Sequence, residues 1–220
     1  MDQRPFIVGV GGFTSNVGKT TLMCELLRAF PGWEAIKTTR GHYRSCGKDP
    51  HACCVSHLLS DHPLVRSDRH ETDAPGKDTG RYWDAGASNV HWLIATDEQI
   101  GPGIKEALSR VTTAGVFVEG NSFTQTIAPD LFIMVMRNGE LRMKATAKRA
   151  LDCVSTFYVS DSCDQQVADS LRAQLAHQRL ATDSDVFTAA DLPVLIERIN
   201  ERFFQLRSSF RRTILEAVAS

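Results

Sequence analysis

The stretch FIVGVGGFTSNVGKTTLMCELLRAFPG, residues 6–32, constrains the fold more than any other part of this chain. Phe6 to Val10 is a short apolar run of the kind a buried parallel strand needs. A glycine-rich turn follows it, and a helix begins at about Thr20. The helix has its apolar face on Leu22, Met23, Leu26, Leu27 and Phe30 and is stopped by Pro31-Gly32. A strand buried on both faces must be covered by helices on both sides, and the rest of the chain supplies them. Further strands are predicted at Trp33–Thr38, Val90–Ala95, Ala114–Val118, Leu131–Met136 and Thr156–Val159. Helices are predicted at Thr79–Ala87, Gln99–Val111 and Lys144–Cys153. This alternation gives an α/β fold, a doubly wound and mostly parallel sheet in three α/β/α layers.

The turn itself has a chemistry. A loop between a strand end and a helix start aims its backbone N–H groups and the helix dipole at one point, where an anion is favoured. Gly18 lets that backbone come close to a phosphate, Lys19 reaches β- and γ-phosphates, and Thr20 offers a hydroxyl to Mg²⁺. Gly12, Ser15, Asn16, Val17, Gly18, Lys19, Thr20 and Thr21 are therefore the candidate phosphate-binding residues. Five residues separate Gly12 from Gly18, one more than in G-x-x-x-x-G-K-[ST], and Phe13 stands where the shorter pattern has its first glycine. This longer form, Gly12 to Thr20, resembles the loop of dethiobiotin synthetases. A Mg²⁺ site also needs an acid at the end of a neighbouring strand. Glu119, in Val116-Phe117-Val118-Glu119-Gly120, fits, because ligands bind at the carboxyl ends of strands in doubly wound sheets. Gly120 is read as a close approach of backbone to ligand.

Three further pieces accompany the loop. Ile36-Lys37-Thr38-Thr39 ends the second strand. His70-Glu71-Thr72-Asp73-Ala74-Pro75-Gly76-Lys77-Asp78-Thr79 is followed by Arg81 and Ala85-Gly86-Ala87, and Val118-Glu119-Gly120 ends the fourth strand. Together with the loop, over roughly residues 5–160, this pattern resembles the molybdopterin-guanine dinucleotide biosynthesis protein B family. The resemblance implies a P-loop NTPase that binds GTP with low intrinsic turnover. It also implies an accessory role in molybdenum cofactor maturation, beside a partner protein of that pathway. It places Asp73 and Asp78 near the γ-phosphate and metal as candidate catalytic residues with Lys19 and Glu119. The residue types alone also allow Asp73 and Asp78 to be helix caps or turn formers.

The chain departs from that family in two places. After the second strand it reads Lys37-Thr38-Thr39-Arg40-Gly41-His42, without paired histidines, and residues 43–69 then intervene before His70. No N-K-x-D stands at a strand end to read guanine. Ser160-Asp161, after the sixth strand, stands where a base would be contacted, and GTP and ATP both remain open.

Residues 42–70 hold five of the seven histidines and three of the six cysteines. Cys46, Cys53, Cys54 and His57 are a soft ligand set suited to Zn²⁺ or an iron–sulfur cluster, although the spacing differs from a C-x₂₋₄-C pair of pairs. The same residues also read as incidental members of a long loop, or as a metal carrier repositioned by nucleotide.

The domain is expected to span residues 1–162, with 41–70 as a Cys/His-rich insertion. Residues 163–220 are expected to be a helical extension on the same domain. From Asp191 the apolar positions Leu192, Ile196, Ile199, Phe203, Leu206, Phe210 and Ile214 mark a long amphipathic helix. Its stripe packs on the sheet or forms a face for a homodimer or partner. The formal net charge of −1 gives no field toward nucleic acid or anionic membrane, and no apolar run is long enough to span a bilayer. The N-terminus enters a strand directly, without a signal peptide, so a cytoplasmic protein with reduced thiols is expected. Two other functions fit the same loop. One is an ATP-dependent kinase or ligase like dethiobiotin synthetase. The other is a non-catalytic metal carrier set by nucleotide.

Overall fold

In the computed structural model, residues 4–41, 55–177 and 184–218 are described, with side chains through residue 208. Cys46, Cys53 and Cys54 lie outside the described residues. Among the described residues eight strands form one sheet in the order β3-β4-β2-β5-β1-β6-β7-β8. They are β1 (Phe6–Gly12), β2 (Glu34–Arg40), β3 (Leu64–Ser67), β4 (Val90–Ala95), β5 (Gly115–Glu119), β6 (Leu131–Met136), β7 (Thr156–Val159) and β8 (Asp185–Thr188). Every pairing is parallel except β3 with β4 at one edge. Strands β1, β5 and β6 are buried along their whole length, which explains their unbroken apolar sequences.

Among the described residues seven helices flank the sheet: α1 (Lys19–Ala29), α2 (Asp68–Thr72), α3 (Asp78–Asp84), α4 (Ile100–Ser109), α5 (Ala145–Arg149), α6 (Gln165–His177) and α7 (Leu192–Val218). On one face, Leu22, Leu26 and Tyr82 of α1 and α3 join Leu195 and Ile199 of α7 over Val8, Val10 and Phe117. On the other, Ile104 of α4, Ala147 of α5 and Leu171 of α6 cover Ile7, Val116 and Phe132. The fold is thus the three-layer α/β/α class predicted, with its helices on both faces of the sheet.

Two strands were not foreseen. Strand β3 comes from the segment read as a structureless insertion, and β8 from the segment read as purely helical. β8 adds an edge to the sheet through Thr156↔Asp185 to Val159↔Thr188, so residues 184–208 belong to the sheet domain itself. α7 closes one end through Phe203, whose ring meets Phe6 at 5.6 Å and Trp33 at 5.5 Å. From Leu192 to Leu206 the amphipathic stripe therefore packs on the sheet, while Phe204 beside it remains exposed. Among the described residues no helix is long and apolar enough to cross a membrane.

At the amino-terminal edge of the sheet a buried hydrogen-bond network ties four elements together. Glu34 Oε2 meets His91 Nε2 at 2.6 Å, and both side chains are almost fully buried. Glu34 Oε1 accepts from Thr112 N, Thr112 Oγ1 and Thr113 N, and His91 Nδ1 contacts Ser67 Oγ at 2.9 Å. Burial alone would push the Glu34 carboxyl up. The hydrogen bonds from His91 and Thr112 outweigh it and hold the carboxyl below its ordinary value.

Removing the carboxylate strands three donors and a buried ring. Glu34→Ala is therefore expected to cost about 3–5 kcal/mol. Glu34→Gln is expected to cost less, since its carbonyl can still face the Thr112 and Thr113 donors. Because the folded value is depressed, the contribution is fully present above the unfolded carboxylate value of about 4.3. It is lost as pH falls through the lower folded value. Urea unfolding of wild type and both variants at pH 7 and in acid checks this. Equal stability of wild type and Glu34→Ala at pH 7 would contradict it.

Candidate functional site

The glycine-rich turn between β1 and α1 lies at the carboxyl edge of the sheet, and three other segments fix its shape. Asn121, just after β5, is buried, and its amide brackets one residue of the turn. Asn121 Oδ1 accepts from Gly12 N at 2.8 Å, and Nδ2 donates to Gly12 O at 3.0 Å. Ser160, just after β7, donates its hydroxyl to Val17 O at 2.7 Å. Thr14 Oγ1 donates to Glu140 Oε1 at 3.2 Å from the connection after β6. Gly18 adopts φ +89, and a Cβ there would sit 2.8 Å from the Ser160 side chain, so this position requires glycine on two counts. Asn16 is also left-handed, at φ 62.

The turn opens on a cleft of about 430 Å³, lined by Ser15, Asn16, Gly18, Lys19, Thr20 and Thr21 of the turn and α1. Lys37 from β2, Asp78 and Arg81 from α3, Glu119 from β5 and Arg137 after β6 complete it. Gly12 and Val17 shape the turn from beneath and do not line the cleft; Val17 is buried.

The acidic side of the cleft is tightly wired. Glu119 is buried, and all its oxygens are engaged. Oε1 accepts from Lys37 Nζ at 2.7 Å, while Oε2 accepts from the Tyr82 hydroxyl and, at 3.3 Å, from Thr20 Oγ1. Lys37 Nζ also pairs with Asp78 Oδ2 at 2.6 Å. Burial would lower the Lys37 ammonium, but Glu119 and Asp78 overcome this and raise it. Burial would likewise raise the Asp78 carboxyl; the Lys37 charge and hydrogen bond, with the Thr20 hydroxyl, hold it below its usual range. Tyr82, fully buried, has its phenol pushed well above 10 by burial first and by the Glu119 charge second. A phenol so placed stays neutral and donates.

The basic side is different. Lys19 is lowered, by burial first and then by Lys37, with Glu119 and Asp78 acting in opposition. Lys144, at the start of α5, reaches solvent. Even so, the partial burial of its ammonium and the charges of Lys19, Arg40 and Lys37 bring it down to about 8. Desolvated ammonium groups that repel one another are stabilised by an incoming anion. The Thr20 hydroxyl and the Glu119 and Asp78 carboxylates form a hard oxygen set of the kind Mg²⁺ takes, so the residues present fit that ion.

Most of the residues expected from the sequence converge here. Four do not take the roles expected. Asp73 pairs with Arg69 at 2.9 Å and does not line the cleft, because its carboxylate serves a salt bridge within α2 and the residue after it. Gly120, at φ +145, makes its close approach to Thr38, whose hydroxyl donates to Glu119 O at 2.6 Å, and does not line the cleft. Ser160 is engaged by the turn itself, and Asp161 Oδ1 accepts from Asn138 N at 2.9 Å, outside the cleft lining. His57, whose expected metal partners Cys46, Cys53 and Cys54 lie outside the described residues, is exposed in a 3₁₀ turn. Among the described residues there is no group of three or more His, Cys, Asp or Glu arranged to hold a metal ion. Tyr82, Asn121, Arg137 and Lys144 carried no signal in the sequence.

A scan against protein-family models finds no match to this chain, and a search of the curated proteins finds no significant one.

Proposed function

We propose that this protein binds a Mg²⁺–nucleoside triphosphate in the cleft at the β1–α1 turn and hydrolyses it slowly. The observation that carries the reading is the pairing of opposites across one cleft. Lys19, partly buried, and the hard oxygens of Thr20, Asp78 and Glu119 line the same cleft. The backbone N–H groups of the turn and the start of α1 add a fixed positive field between them.

Each residue then has a task. Lys19 neutralises the charge that grows on the bridging and terminal phosphate oxygens as the γ-phosphoryl leaves. Arg81 and Arg137, which line the cleft on separate elements, add positive charge along the phosphate chain. Thr20 and Glu119 would hold Mg²⁺, with Asp78 beside them. That ion, when bound, withdraws charge from the β- and γ-oxygens. Glu119 keeps its orientation through the Tyr82 hydroxyl, and that pairing makes it an orienting group more than a proton carrier.

The resemblance to molybdopterin-guanine dinucleotide biosynthesis protein B supports GTP as the nucleotide and cofactor maturation as the setting. A kinase or ligase resembling dethiobiotin synthetase is the second reading. It is supported by the longer spacing of the Gly12–Thr20 loop, which resembles the loop of that family. Phosphate release from GTP and from ATP, with and without Mg²⁺, tests the first reading. Metal-dependent release of the order of turnovers per minute or slower, without any acceptor, is expected. Release only on addition of a small acidic acceptor would favour the transferase. No release in either condition, with no nucleotide bound, would overturn both.

A further inference from the structure

Asp78 and Glu119 already share a cation. The Lys37 ammonium sits 2.6 Å from Asp78 Oδ2 and 2.7 Å from Glu119 Oε1. Two carboxylates this close to one point need a positive charge between them to stay ionised together. The other Glu119 oxygen is occupied by Tyr82 and Thr20. A Mg²⁺ ion binds carboxylate oxygens at about 2.0–2.1 Å, which an ammonium on the same oxygens does not permit. Of the three donors on Glu119, Tyr82 is anchored in the core and Thr20 belongs to the metal shell itself. Lys37 alone has a long flexible stem and another anion within reach once a γ-phosphate enters the same cleft.

We infer that Lys37 is a resident cation of the Asp78–Glu119 pair. It keeps divalent metal out of the empty site, and it yields the carboxylates when a nucleotide offers its γ-phosphate. This rests on the nucleotide-binding reading above. Its consequence is that metal and nucleotide load together, so the empty protein does not collect free divalent ions at its catalytic carboxylates. The exchange makes and breaks no covalent bond: the ammonium would move from the carboxylates to phosphate, and the divalent ion that takes its place would arrive with the negative charge of the nucleotide.

The test is Mn²⁺ binding followed by electron paramagnetic resonance, without any nucleotide, on wild type, Lys37→Met and Lys37→Gln. The glutamine variant keeps a polar head for the two carboxylates and remains informative where methionine weakens the fold. Both neutral variants are expected to bind one Mn²⁺ about tenfold or more tightly than wild type, since a like charge has left the site. Adding Glu119→Gln is expected to remove the gain, and Lys37→Arg, which keeps the charge, to show none. Equal Mn²⁺ affinity in wild type and both neutral variants would overturn the inference. So would tight Mn²⁺ binding by nucleotide-free wild type that Glu119→Gln abolishes. These outcomes are independent of nucleotide affinity. A wild type that binds no nucleotide but shows the Mn²⁺ gain in its variants would overturn the parent reading and leave the resident-cation arrangement standing.

Discussion

Lys19→Ala is expected to lose about a hundredfold or more in affinity for a nucleoside triphosphate while melting no lower than wild type. The two halves of this result have one cause. The Lys19 ammonium is desolvated and held near Lys37, so its charge destabilises the empty fold slightly. A phosphate chain supplies charge-assisted hydrogen bonds that this group does not make among the described residues, worth about 1.5–3 kcal/mol each. Two such bonds correspond to the hundredfold factor or more. A lysine that served packing would behave in the opposite way, with affinity intact and the melting temperature lowered. Fluorescent-nucleotide titration beside thermal melting separates them. Unchanged affinity would remove the phosphate-binding role from this turn.

Glu119→Gln is expected to slow hydrolysis by about 10²–10³ under saturating Mg²⁺, with nucleotide affinity changed only a few-fold. The turn N–H groups and Lys19 supply most ground-state contacts, whereas the carboxylate acts through the metal and the attacking water. The glutamine can still accept from Tyr82 through its carbonyl, so the variant tests the charge more than the packing. The same loss should appear in single-turnover experiments, where binding is removed from the measurement. An unaffected rate would shift the strand-end role to Asp78, the other carboxylate bound to Lys37.

The sequence carried the parts of this site that depend on local pattern. The strand, turn and helix of residues 6–30 are written in apolar periodicity and glycine placement, and Lys19, Thr20 and Glu119 follow from them. Contacts between distant segments left no such trace. Asn121 reaches Gly12 across 109 residues, Ser160 reaches Val17 across 143, and Tyr82 reaches Glu119 across 37. Nothing near Asn121 or Ser160 marks them as supports of the turn. Tyr82 falls on an expected helix as one more aromatic core residue.

The missed strands have a similar explanation. β3 and β8 are four residues each and lie at the two sheet edges, where half-exposed positions weaken the apolar signal. Asp73 was misplaced because a family pattern gives order along the chain but not direction. In this chain Arg69, one turn earlier, takes its carboxylate.

On the proposed reading, the β1–α1 turn with Lys19, Thr20 and Glu119 is a nucleotide site. The most direct test is isothermal titration of wild type with non-hydrolysable analogues of GTP and ATP in Mg²⁺, repeated on Lys19→Ala. The account predicts one site per chain for at least one analogue, weakened when Mg²⁺ is removed and lost in the variant. No binding of either analogue by folded wild type, or binding that Lys19→Ala leaves unchanged, would contradict it.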